Sequence, residues 1–185
     1  TGKLSGWRLE AKGPAMGASD AVSTQAHGTG IFIKDILEQV ETYKGEISSW
    51  TVVSNAKDAE IGILCDGFLE GITSLEGKVS DMEMEGESYT DTGGVLQTAP
   101  AGVLIRNFAA GATNVKGSLS DWKITGRCKT TAGSTGVRFE FFLFAAENVS
   151  GDISSWVVNG SAEAPGDTIG VSVEGFMDSA GVATG

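Results

Sequence analysis

Gly45-Glu46-Ile47-Ser48-Ser49-Trp50 returns three times along the chain. The other copies are Gly77-Lys78-Val79-Ser80-Asp81-Met82, Gly117-Ser118-Leu119-Ser120-Asp121-Trp122 and Gly151-Asp152-Ile153-Ser154-Ser155-Trp156. The pattern is Gly-x-aliphatic-Ser-Ser/Asp-Trp/Met, with glycines 32, 40 and 34 residues apart. Leu4-Ser5-Gly6-Trp7 reads as a degraded fifth copy. Three of the four tryptophans occupy this one slot. A chain that puts its largest side chains at a repeated position is building architecture. Trp50, Met82, Trp122 and Trp156 are therefore expected to be packing residues, the tryptophans mostly buried.

After the tryptophan slot the hydropathy period is two. Trp122, Ile124, Gly126 and Cys128 alternate with Lys123, Thr125, Arg127 and Lys129. Met82, Met84 and Gly86 alternate with Glu83, Glu85 and Glu87. These are strands with one buried face. Before the slot the parity breaks. Ile47 and Trp50 are three apart, as are Leu119 and Trp122, and Ile153 and Trp156, which predicts a bulge or bend at the same place in each copy. A second strand follows in every unit, at residues 60–65, 103–108, 137–144 and 168–176. The run 137–144 loses its polar face at Phe142 and Phe144 and is expected to be covered on both sides.

The fold expectation is a mainly β protein, an antiparallel sandwich or half-barrel made of four strand-loop-strand repeats. One helix is expected near 31–42, because Ile33, Ile36, Leu37 and Val40 fall at i, i+3, i+4 and i+7, although Ile31-Phe32-Ile33 could equally begin a strand. Residues 1–30 read as a flexible Gly/Ala-rich segment and 31–185 as a single β domain. The connection 88–102 is over-long and carries Val95 and Leu96 at its middle, so it is expected to be an assembly loop.

Glycine is abundant, 27 of 185 residues, but lacks the every-third spacing of collagen, so it punctuates turns instead. The formal net charge of −11 argues against wrapping nucleic acid through phosphate neutralisation. An acidic wall past which DNA slides without sticking is compatible with it. Cys65 and Cys128 lie in apolar segments without a CxxC spacing and read as buried thiols. No apolar run reaches the length of a membrane span, and the residues from Thr1 show no signal-peptide pattern.

Chemistry-bearing patterns are weak. His27 is the only histidine and has no acid or thiol near it in sequence. The paired Glu83 and Glu85 lie on one polar strand face. Asp58, Glu60, Asp66 and Glu70 do not have calcium-loop spacing. Gly28-Thr29-Gly30 lacks the lysine of a phosphate loop. No catalytic residue, cofactor or metal site is expected.

The repeated segments resemble phage tail-tube and related major tail proteins. Gly45 to Val52, Asp58-Ala59-Glu60-Ile61 and Phe68-Leu69-Glu70-Gly71 resemble the opening strand, acidic segment and turn of that family. Val115 to Thr125 resembles its later strand, and Ile169 to Phe176 its closing one. The likeness covers residues 44–178 in short pieces. It implies a compact sandwich that forms rings stacked as a tube around a DNA channel. The chain would then be a non-enzymatic structural virion protein, assembled in the host cytoplasm and located in the virion. Its partners would be copies of itself in a ring-forming homo-oligomer and other virion proteins. DNA would pass through the lumen without specific binding, no membrane would be involved, and Glu83, Glu85 and Glu87 are candidate lumen acids. The family's long hairpin arm has to be sought in 88–102 or 11–30. The alternative is a capsid decoration protein or a non-catalytic surface- or carbohydrate-binding module.

Overall fold

A computed structural model of the chain describes residues 2–14, 28–57, 59–90, 100–130, 133–178 and 182–184. The strands form five successive turns, or rungs. The first rung holds β1 (Gly2–Ser5), β2 (Arg8–Pro14), β3 (Thr29–Lys34) and β4 (Thr42–Tyr43). The second holds β5 (Gly45–Lys57), β6 (Ile61–Asp66) and β7 (Ser74–Leu75), and the third β8 (Lys78–Thr90), β9 (Ala101–Arg106) and β10 (Asn114–Val115). The fourth holds β11 (Ser118–Thr130), β12 (Ser134–Glu140) and β13 (Asn148–Ser150). The fifth holds β14 (Ile153–Ser154), β15 (Val157–Glu163), β16 (Thr168–Glu174) and β17 (Val182–Thr184).

Each strand pairs with its counterpart in the next rung, and every pairing is parallel. Sheet A contains β1, β2, β5, β8, β11, β14 and β15; sheet B runs β3-β6-β9-β12-β16; sheet C runs β4-β7-β10-β13-β17. The architecture is a parallel β-helix, and the expected antiparallel sandwich is overturned. Repeats of one sequence stack like on like, so Trp50 lies opposite Met82 and Met82 opposite Trp122. The two long strands of a unit face each other across the core instead of pairing. The third strand had no readable period, because in sheet C it is as short as two residues.

The expected helix near 31–42 is also overturned, and the described residues contain no helix. Residues 29–34 are strand β3 and 42–43 strand β4. Between them Asp35, Leu37 and Gln39 take left-handed φ of 54°, 57° and 53°. This corner turns Ile36 and Leu37 toward the core that Ile33 already enters. Inward residues at the end of a strand and around a corner thus imitate a helical period. The same turn recurs in later rungs, with left-handed φ at Gly67, Leu69 and Gly71, at Asn107, Ala109 and Gly111, and at Phe141, Leu143 and Ala145. Left-handed backbone costs a non-glycine residue roughly 1–2 kcal/mol. Here hydrogen bonds between rungs offset it: Leu69 N–H donates to Ile36 O, Ala109 to Phe68 O and Leu143 to Phe108 O, each at 2.8 Å. The run 137–144 is accordingly a strand to Glu140 followed by this corner. Phe142 and Leu143 are fully buried, while Phe141 is 40% exposed rather than covered.

The parity break before the tryptophan is a bend in every rung and not a bulge, since Ser48 pairs with Ser80 and Trp50 with Met82 with no residue inserted. Ser49, Asp81, Asp121 and Ser155 sit at φ 58°, 53°, 61° and 57°, and Gly6 at 74° fills the same place in the first rung. Leu4 pairs with Ile47 and Ser5 with Ser48, so the fifth copy of the motif is real. The bend interrupts the ladder, and the indole supplies a donor there. Trp50 Nε1 donates to Leu4 O at 3.3 Å, Trp122 to Val79 O at 3.1 Å and Trp156 to Leu119 O at 3.0 Å. Trp50 and Trp122 are each 1% exposed and Met82 is 2% exposed, but Trp156 is only half-buried, short of the expectation.

The uneven spacing of the repeat has one source. Nine positions separate Gly77 from Gly86, Gly117 from Gly126 and Gly151 from Gly160. Fifteen separate Gly62 from Gly77, Gly102 from Gly117 and Gly136 from Gly151. Only the sheet A to sheet B corner varies, with Ser54 to Gly62, Gly86 to Gly102 and Gly126 to Gly136 being 8, 16 and 10 positions apart. The glycines mark contacts that cannot give. A Cβ on Gly126 would strike the Gly136 carbonyl of sheet B, and one on Gly117 the Gly77 carbonyl of the rung before. Residues 2–14 belong to this body as β1 and β2 rather than to a separate segment. Residues 15–27 and the central part of the expected assembly loop, with Val95 and Leu96, lie outside the described residues.

Candidate functional surface

Sheet A holds the longest strands, β5, β8 and β11 having 13 residues each. Glu83, Glu85 and Glu87 stand on its solvent side, as alternation required. Each meets a cation one rung on: Lys123 Nζ is 2.7 Å from Glu83, and Arg127 Nη1 is 2.8 Å from Glu87 and 3.3 Å from Glu85. Lys129 reaches Glu163 at 3.2 Å. The acid row is thus flanked by a basic row. The hydrogen bonds and charges of Glu83 and Glu87 raise the Lys123 and Arg127 pKa values respectively. Exposed pairs of this kind contribute little stability each, and they leave no concentrated acidic field on this face.

A shallow groove of about 710 Å³ follows the corner from sheet C to sheet A. Its floor includes Gly77, Gly117 and Gly151, and its rim Glu76, Lys116 and Asp152. The rim mixes charges, with Lys44 Nζ on Glu76 at 2.6 Å. No nucleophile with an adjacent base lines it.

The corner from sheet B to sheet C gathers carboxylates. Asp66 is 8% exposed and accepts from Arg106 Nη2 at 2.8 Å and from Asn107 Nδ2 at 3.1 Å. Burial raises the Glu70 pKa, and the charges of Asp66, Glu38 and Asp35 raise it further. Among the described residues no group of three or more His, Cys, Asp and Glu is placed to hold a metal. Cys65 and Cys128 are buried and free. Burial, with the neighbouring Asp66 charge, pushes the Cys65 thiol up to about 12, and burial raises Cys128. Both are therefore poor nucleophiles. His27 lies outside the described residues.

The remaining candidate surface is the fifth rung. Inward-pointing residues form axial ladders through the core. Phe68, Phe108, Phe142 and Phe176 stack with ring centroids 5.3, 4.6 and 5.1 Å apart. Trp122 stacks on Trp156 at 4.6 Å, and Trp7 on Trp50 at 4.6 Å. The ladders reach the fifth rung, whose inward residues are exposed. Val173 is 56% exposed, Val171 42%, Ile153 37% and Phe176 36%. At the other end Trp7 is 41% exposed.

Two charged columns along the axis went unread in the sequence. One is Lys3, Glu46, Lys78, Ser118 and Asp152 in sheet A; the other is Lys34, Asp66, Arg106, Glu140 and Glu174 in sheet B. Aligning the motif copies by their glycines would have exposed the first. The second needed the register of sheet B. No helix of the described residues is long and apolar enough to cross a membrane. No family model, curated protein or solved structure matches the chain.

Proposed function

We propose that this chain is a structural protein that works as assembled copies of itself, in a virion or a comparable particle, rather than as an enzyme. One observation carries the reading. The best-organised side chains, the tryptophan and phenylalanine ladders, pack one rung on the next along the axis. The virion setting draws on the resemblance to tail proteins. The tube-around-DNA form of that resemblance leaned on an antiparallel sandwich, so it loses this support, and the ion-paired Glu83, Glu85 and Glu87 add none. The building-block role does not depend on the sandwich.

Sedimentation velocity over a wide concentration range, with negative-stain microscopy at the top of it, tests the reading. Concentration-dependent, regular particles are expected. A chain that stays a single-copy particle throughout would defeat it. A second reading, a surface- or carbohydrate-binding module, draws on the groove at the sheet C to sheet A corner. Saccharide binding by the single-copy particle, lost on a Lys116→Glu change, would favour it.

A further inference from the structure

We propose that the groove at the sheet C to sheet A corner binds an acidic saccharide, its carboxylate or sulfate held between Lys78 and Lys116; this goes beyond the building-block role and narrows the second reading above, on which it rests. The groove holds about 710 Å³, within the ordinary range of ligand sites. Two columns of side chains flank its glycine floor. By register one runs Lys44, Glu76, Lys116 and Ser150, and the other Glu46, Lys78, Ser118 and Asp152. The floor is bare because the backbones of successive rungs close on each other there, as the clash of a Gly117 Cβ with the Gly77 carbonyl shows. Packing therefore accounts for the glycines, and the cations carry the case for a ligand. Among the described side chains every other lysine and arginine forms an ion pair. Lys78 and Lys116 form none, and both line this groove.

The acids one rung before these lysines are already engaged. Glu76 lies 2.6 Å from Lys44 Nζ and accepts from Ser74 Oγ at 3.3 Å. Glu46 lies 3.2 Å from Lys3 Nζ and accepts from Ser48 Oγ at 2.7 Å. One rung on, each lysine has a hydroxyl beside it: Ser150 next to Lys116, and Ser118 next to Lys78. An oxyanion seated over Gly117 meets two ammonium groups and two hydroxyl donors, and charge-assisted hydrogen bonds are the strong kind. The rest of the lining sets the ligand class. No aromatic or aliphatic side chain lines the groove, so a nucleobase or an acyl chain has nothing to stack on or bury against. A polyphosphate or a nucleic-acid strand would bring dense charge up to Glu46, Glu76 and Asp152, on a chain of net charge −11. A sparse anion surrounded by hydroxyls avoids that repulsion. Asp152, one rung beyond Ser118, accepts such hydroxyls and disfavours a second anion beside the first.

Titration calorimetry of the purified chain tests this, with an oligogalacturonate, a chondroitin sulfate oligosaccharide, a neutral malto-oligosaccharide and inorganic sulfate as probes. The two acidic saccharides separate carboxylate from sulfate as the recognised group. At least one should bind saturably, and more weakly as salt is raised. Lys78→Ala and Lys116→Ala should each weaken that binding about tenfold or more, and the double variant should abolish it. Both lysines are exposed, so the variants should fold, which circular dichroism checks. Lys123→Ala removes a cation from the sheet A face and should leave binding unchanged. A loss there as large as at Lys116 would mean general charge attraction and would overturn the site. Equal binding of neutral and acidic saccharides would overturn the acidic ligand and leave the second reading in place. If sulfate alone binds as tightly as the saccharides, the groove is an anion site and the saccharide falls. If no saccharide binds, this inference and the second reading both fall, while the assembly reading keeps its own test.

Discussion

The fourth and fifth rungs carry almost the same motif and live in different worlds. Gly117 to Trp122 and Gly151 to Trp156 share the glycine, the aliphatic, the serine and the tryptophan. In the fourth rung Leu119, Trp122, Val137, Phe139 and Phe142 are exposed by 0–3%. In the fifth, Ile153, Val171, Val173 and Phe176 are exposed by 36–56%. Both rungs keep the left-handed bend and the indole hydrogen bond to the rung before. What differs is a neighbour on the far side. In a solenoid, burial belongs to the stack and not to the repeat, which is why the terminal repeats of such proteins need a polar cap or a partner.

Tryptophan substitutions should separate the two rungs most widely. Trp122→Ala removes a side chain enclosed by Phe108, Phe142 and Trp156, and should destabilise by ~3–5 kcal/mol. Trp156 is only half-buried, so Trp156→Ala should cost about half as much, on the same area-based scale. Urea denaturation of single-copy protein measures both. Equal losses would mean that the end rung is as well covered as the inner one, and would break the comparison.

Glycine substitutions probe backbone contact in the same two rungs. Gly126 and Gly160 both face sheet B, where an added Cβ meets the carbonyl of Gly136 or of Gly170. Gly126→Ala should destabilise by about 1–3 kcal/mol, the usual cost of overpacking. Gly160→Ala should cost less, because an end strand can move toward solvent. A reversed order would show that rung spacing at this corner is set from the end inward.

The sheet A to sheet B corner should be far more tolerant. Deleting residues 92–99 shortens the third rung's connection to the span that the second rung already uses. Halving a loop changes closure entropy by only about 0.6 kcal/mol, so the fold should survive with stability altered by less than ~1 kcal/mol. Loss of the folded state would mean that this connection is a core element. If the shortened chain also assembles as the parent does, Val95 and Leu96 have no part in assembly.

Much of this was legible in the sequence, and the misses have physical causes. The Trp slot, the bend before it and the period-two strands were all readable, since each is a local consequence of side-chain parity. Pairing direction was not. Alternation shows that Ile124 and Trp122 share a face, but says nothing about whether the neighbouring strand runs up or down. The equal fifteen-residue spacing from Gly62 to Gly77 and from Gly102 to Gly117 was the missing clue, because rigid repeat lengths suit stacking better than hairpins. Ile33, Ile36, Leu37 and Val40 misled for another reason: a corner with left-handed residues at every second position brings neighbouring side chains inward, as a helix does. The charged columns ending at Asp152 and Glu174 needed register, which no single strand reveals.

The smallest expected effect concerns Glu70, an acid held between neighbouring rungs. Burial, and then Asp66, Glu38 and Asp35, raise its pKa above the ordinary 4.5. A carboxyl with a raised folded-state pKa binds its proton more tightly in the native chain than in the unfolded one. Stability attributable to it is therefore present at low pH and falls as pH rises through the folded value. Glu46 and Glu76 act the other way. Their pKa values are lowered chiefly by hydrogen bonds from Ser48 and from Lys44 respectively, so their contributions are lost as pH falls. Opposed trends hide Glu70 in the stability profile of the parent alone, and the difference between parent and Glu70→Gln isolates it. The glutamine chain should be the more stable at pH 7. Its advantage should shrink toward acid, in the interval just above 4.5 where Glu70 takes up its proton. Thermal melts from pH 4 to 7 check this, and an advantage that stayed constant over that range would show that the Glu70 carboxyl does not titrate there.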